Sequence, residues 1–244
     1  MFWNRVATSA RAAIADLLGV AGGEPVVDER RLGRELHEEI CAAFQVESSG
    51  WAAEVTGRVM ARLNAQRDGP ALSPVVFWSS AASAFTLLGE YVYISRELLQ
   101  RLSPEAAVAF VLAHEAAHHD LGHVSILNPD AISRFPLPIR LLAAYVERAL
   151  SNPELEAAAD DRAIELCERA GYARADCLEA FRILEALLLD RGQVDGVFGP
   201  RDAPEGDASA WESWLSTASE WLWQRRNGYL SLRDRRARLT QPST

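Results

Sequence analysis

Two histidines stand four residues apart, at His114 and His118, and Glu115 follows directly on the first. On an α-helix, positions i and i+4 share a face, so both imidazoles reach one point in space. Imidazoles suit a zinc ion, and a carboxylate placed beside the open coordination position takes a proton from zinc-bound water. The run His114-Glu115-Ala116-Ala117-His118 therefore carries the ingredients of hydrolytic metal chemistry, provided that a helix holds it. Its flanks predict that helix. Ser103 is the expected N-cap, Pro104 suits the first helical position, and Glu105 favours the positive end of the dipole. Ala106 to Ala113 is apolar all round, as in a helix enclosed by the rest of a domain.

Three protein ligands and an open position define a catalytic zinc site, so a third donor is required. His123 is the nearest candidate. The extended metzincin pattern needs glycine at position 121 and histidine at 124, where this chain has Leu121 and Val124. On a continuing helix His123 would point away from the His114/His118 face, and it is set aside as a ligand. A better donor lies in the run from Ser151 to Asp160. Asn152 is the expected cap of a second helix and Pro153 its first residue. Glu156 and Asp160 are four apart and share a face. Glu156 is the expected third ligand, and Asp160 would hydrogen-bond the free ring nitrogen of a ligating histidine and fix its tautomer. Ala157, Ala158 and Ala159 would let the two helices approach closely.

These paired motifs resemble the HtpX-like gluzincin metallopeptidases, the group that includes the CAAX prenyl endopeptidases. The resemblance rests on the run Glu90 to Leu99, then Leu102-Ser103-Pro104-Glu105, then Leu112-Ala113-His114-Glu115. It continues through the Glu156/Asp160 helix into Asp161-Arg162-Ala163-Ile164 and Ala170-Gly171-Tyr172. His123 matches a histidine often seen in the family after the zinc motif. The likeness runs from about Ser83 to Tyr172, with weaker echoes to Leu239. It implies Zn2+ as cofactor and an edge strand, Tyr91-Val92-Tyr93-Ile94, that holds an extended substrate by main-chain hydrogen bonds. The family's His-Pro-Pro segment is missing from the tail. If the helices align, Tyr229 stands where its histidine would be and Arg235 where a family arginine would be. A phenol can also stabilise an oxyanion, so Glu115, Tyr229 and Arg235 are the expected catalytic residues.

The elements that must position these groups are legible in outline. At 244 residues the chain suits one large domain with a sizeable core. Residues 1–25 read as an N-terminal segment ending in the linker Gly22-Gly23-Glu24-Pro25, and 26–244 as a single zinc metallopeptidase domain. Helices are expected over Leu32 to Phe44 and Trp51 to Gln66, and strands over Val75 to Trp78 and Tyr91 to Ile94. Beyond Pro104 the pattern is almost entirely helical. The fold class is α+β, predominantly helical, with a zincin-like core and a small sheet. Leu121 to Ser151 would be a lid over the cleft or an inert connection. Asp190 to Ser209 would be a surface loop, and Trp211, Trp214 and Trp221 an inward-packing helical stripe.

Composition narrows the partners. A net charge of −9 argues against nucleic acid and anionic membranes. Cys41, Cys167 and Cys177 are too few and too scattered for a disulfide framework and read as reduced thiols. No stretch reaches the length of a membrane span, and no secretory signal is evident. The sequence thus predicts a cytoplasmic zinc endopeptidase acting on unfolded or extended polypeptide by Glu-assisted attack of zinc-bound water. The alternative is a zinc-containing scaffold or chaperone-like binder with little turnover.

Overall fold

The computed structural model describes residues 29–79, 82–124, 153–190 and 232–240. The N-terminal segment, most of the expected lid, the expected loop beyond Asp190 and the tryptophan stripe lie outside them, as do Asn152 and Tyr229. Helix α1 (Glu29–Ala43) leads into β1 (Val46–Glu47), α2 (Trp51–Asn64), β2 (Ser73–Phe77), β3 (Ala84–Thr86) and β4 (Tyr91–Ser95). Helices α3 (Arg96–Arg101), α4 (Glu105–Asp120), α5 (Pro153–Arg169), α6 (Arg174–Cys177), α7 (Glu179–Asp190) and α8 (Leu232–Thr240) complete the order. The α+β reading holds: helices predominate around one small sheet. Among the described residues, no helix is long and apolar enough to cross a membrane.

Strand order is β1-β2-β4-β3, with β2 and β4 parallel and the outer pairs antiparallel. Side chains alternate across a strand, and both faces here are covered. Val76, Val92 and Ile94 point into the main core with α2 and α4. Val75, Phe77 and Tyr93 point the other way, onto Ile40 of α1 and Phe44 just beyond it. Burial on both faces explains why the strands read as continuous apolar and aromatic runs.

The topology corrects one expectation. Tyr91-Val92-Tyr93-Ile94 is not an edge strand, because β4 is paired with β2 on one side and β3 on the other. Val92, Tyr93 and Ile94 are wholly buried. Their backbone groups are spent within the sheet and have none to offer a substrate strand. Strand β3, three residues long and not foreseen, forms the edge instead.

Helix α4 runs through the core, with every residue from Ala106 to Ala113 buried. It begins at Glu105, one residue later than expected, with Pro104 at the cap position and no side-chain cap bond. Glu105 ties that end down: its carboxylate accepts hydrogen bonds from Arg58 at 2.6 Å and from the Tyr172 hydroxyl at 3.1 Å. Cys167 and Cys177 are buried free thiols and Cys41 an exposed one.

Helix α1 meets the β3–β4 turn backbone to backbone. A Cβ on Gly33 would lie 2.3 Å from the Gly89 Cα, and Gly89 itself has φ +97°. Gly33→Ala therefore cannot be absorbed by a rotamer change and must push α1 off the sheet. An overpacking cost of about 1–3 kcal/mol is expected in urea unfolding. A stability equal to wild type would show that the contact yields freely.

Candidate metal centre

Helix α4 offers His114 and His118 on one face, and α5 offers Glu156 one turn from its start. Small residues permit the approach. Ala113, Ala116 and Ala117 on α4 and Ala159 and Ala163 on α5 are completely buried, so the two backbones lie close enough for short side-chain reach. Of the three alanines singled out in the sequence, Ala159 is the buried one. The contact is continued by Ala163 instead of Ala157 or Ala158.

The three side chains form a tight triangle. His114 Nε2 lies 3.2 Å from His118 Nε2 and 3.5 Å from Glu156 Oε2. His118 Nε2 lies 3.5 Å from Glu156 Oε1. Ligands about 2.0–2.1 Å from a tetrahedral zinc ion stand about 3.3–3.4 Å from one another. The observed edges bracket that value, so the donor set fits a zinc-sized cation. His114, His118 and Glu156 form a group that could hold a metal ion.

The electrostatics ask for positive charge at the same point. Glu156 and Asp160 are 2% and 0% exposed, and Arg235 is the guanidinium placed against them. Arg235 Nε donates to Asp160 Oδ2 at 2.8 Å and Nη2 to Oδ1 at 2.7 Å. The same Nη2 is 3.3 Å from Glu156 Oε2. Arg238 Nη2 stands farther off, 3.8 Å from Asp160 Oδ2, and both carboxylates also face His114. Burial disfavours the imidazolium, but Asp160 and Glu156 outweigh burial and raise His114 to about 10. His118 goes the other way, to about 3, through burial and the neighbouring charge on His114. A divalent cation at the centre of the triangle meets the same demand and leaves both imidazoles neutral, as ligation requires.

Asp160 stands beside His114. Its Oδ1 lies 3.1 Å from His114 Nδ1, which aims the opposite nitrogen into the triangle. Arg235 is brought into the site through Asp160. Glu115 follows on His114, and burial pushes its carboxyl up to about 7 against the opposing charge on His114.

Other partners were not legible in advance. His119 Nε2 bonds the Thr86 hydroxyl. That hydroxyl donates to the Tyr91 carbonyl, so it accepts from the imidazole. This bond ties edge strand β3 to the end of the histidine helix. Next to it, Asp120 accepts from Arg67 at 2.9 Å and from Arg162 at 3.2 Å. Arg67 arrives from 53 residues away and Arg162 from 42. No spacing rule connects such residues. His123 also departs from expectation: it does not point away but turns back, with its Nδ1 3.0 Å from His118 Nδ1.

Residues 47–134, from β1 through the whole of α4, match the family model of Peptidase family M48. The match covers about a third of the chain, including the histidine pair, and supports the resemblance to M48 metallopeptidases at that level. No curated protein matches the chain.

The Asp160–Arg235 pair makes the site testable apart from activity. Asp160→Asn removes one of the two carboxylates that hold the buried Arg235, and the metal-free protein should be less stable to urea at neutral pH. Burial opposes the Asp160 charge, but bonds from His114 and Arg235 prevail and hold its carboxyl below the usual range. Its contribution is therefore present above the ordinary aspartate value of about 4 and is lost as pH falls through the lower folded value. The acid limb of the stability profile should flatten in the variant. Identical profiles would contradict the assignment.

Proposed function

We propose that this chain is a zinc-dependent endopeptidase that hydrolyses peptide bonds in unfolded or extended polypeptide in the cytoplasm. The observation that carries the reading is the triangle of two Nε2 atoms and one carboxylate, with edges of 3.2–3.5 Å, beside Glu115. His114, His118 and Glu156 would hold the ion. When bound there, zinc supplies Lewis-acid polarisation of the scissile carbonyl and lowers the pKa of water towards about 7.

The remaining chemistry belongs to the chain's own side chains. The Glu115 carboxylate accepts a proton from the attacking water and returns it to the leaving amine. Asp160 fixes the His114 tautomer, and Arg235 acts through Asp160 as a positioning residue. Tyr229, in the place of the family histidine, would donate its phenolic proton to the developing oxyanion. An extended substrate would add as a strand along β3, using main-chain bonds that tolerate many side chains. The bond between His119 and Thr86 keeps that edge in register with the histidine helix.

Glu115→Gln separates binding from turnover. The variant should keep wild-type zinc content, while cleavage of a reduced, alkylated protein substrate falls about 10²–10⁴-fold. Wild-type cleavage should also stop with chelator and return with zinc. A variant cleaving at the wild-type rate would remove Glu115 from its role. Zinc-replete wild type with no turnover of any unfolded substrate would favour a zinc-containing scaffold.

A further inference from the structure

Helix α4 ends in a turn whose geometry feeds back on the metal centre. Leu121 is its C-cap, and Gly122 takes φ +68°, the left-handed conformation that glycine adopts without strain. The His123 amide bonds the His118 carbonyl at 2.8 Å and the Gly122 amide bonds the His119 carbonyl at 3.0 Å. This pair of bonds is the Schellman motif, in which the residue after the glycine folds back over the residue five positions earlier. That contact is frequently hydrophobic. Here it is made between two imidazoles, with Nδ1 of His118 and Nδ1 of His123 3.0 Å apart.

We infer that His123 is a positioning residue for His118, delivered by the helix cap and acting through its Nδ1 as a hydrogen-bond acceptor. The inference rests on the metal-centre reading given above. His118 turns Nε2 towards His114 and Glu156. A neutral imidazole that ligates through Nε2 carries its proton on Nδ1. His118 Nδ1–H then donates to His123 Nδ1, and His123 carries its own proton on Nε2. The bond fixes both the tautomer and the ring plane of His118, as Asp160 does for His114. The two ligating histidines are thus oriented by different means. One is held by a carboxylate from a neighbouring helix, the other by a residue of its own helix end. Gly122 is part of the device, since a Cβ there would meet no atom within 4 Å and would act through φ alone.

Asparagine and leucine at position 123 test the bond directly. Asparagine Oδ1 stands the same number of bonds from Cβ as histidine Nδ1 and accepts a hydrogen bond; leucine has the same shape as asparagine and accepts none. Zinc dissociation constants should be measured by competition with a chromophoric chelator for wild type, His123→Asn and His123→Leu, with urea unfolding of the metal-free forms as control. His123→Asn should bind zinc within about threefold of wild type. His123→Leu should bind about 10–100-fold more weakly, the usual loss when a ligand's hydrogen-bond partner is removed. Metal-free stabilities of the two variants should agree. Equal zinc affinities for both variants, whether near wild type or equally reduced, would overturn the inference. Wild type that takes up no stoichiometric zinc would instead overturn the metal-centre reading itself.

Discussion

Two carboxylates, Glu156 and Asp160, are buried on one face of one helix with the Arg235 guanidinium against both. Everything around the site follows from neutralising them. An isolated buried carboxylate is prohibitively expensive, and ion pairing in the interior repays desolvation only when geometry and hydrogen bonding are both good. Arg235 satisfies Asp160 with two bonds, and Asp160 still reaches His114. Glu156 faces the point where two imidazole nitrogens converge. The cluster joins α4, α5 and α8, so the charge balance that suits a cation also holds three helices in register.

Helix α4 organises this arrangement by sending successive residues to different parts of the fold. Glu105 anchors its start to α2 and to Tyr172. His114 and His118 face α5. His119 is bonded to β3, Asp120 to Arg67 and Arg162, and the cap returns His123 to His118. A helix held at both ends by these bonds cannot rotate by even part of a turn without breaking some of them. That rigidity is what a three-ligand site requires, because small displacements of a ligand nitrogen are costly in metal affinity and in orientation.

The residues of the candidate metal centre were legible because helical periodicity makes them so. Spacing alone placed His114 with His118 and Glu156 with Asp160, and proline at 153 marked the start of the second helix. The apolar run before His114 declared a buried helix, and the aromatic and β-branched run at 91–94 declared a strand. The strand's place in the sheet was not legible. Pairing partners are set by long-range packing, and the short edge strand at 84–86 has too few residues to show a period. His123 was misread for a related reason: a helical-wheel argument assumes that the helix continues, whereas Gly122 ends it. The Arg67–Asp120–Arg162 link joins residues 42 and 53 positions apart, and charge identity alone does not say which arginine meets which aspartate.

The central claim is that Glu156 completes a metal site with the two histidines. The direct measurement is zinc stoichiometry of wild type and Glu156→Ala after dialysis against a weak chelator, with circular dichroism to confirm that both are folded. One zinc per wild-type chain, lost or greatly weakened in the variant, is the predicted result. Equal zinc retention by both folded proteins would mean that the third ligand lies elsewhere, and the arrangement derived from the buried carboxylates would be wrong.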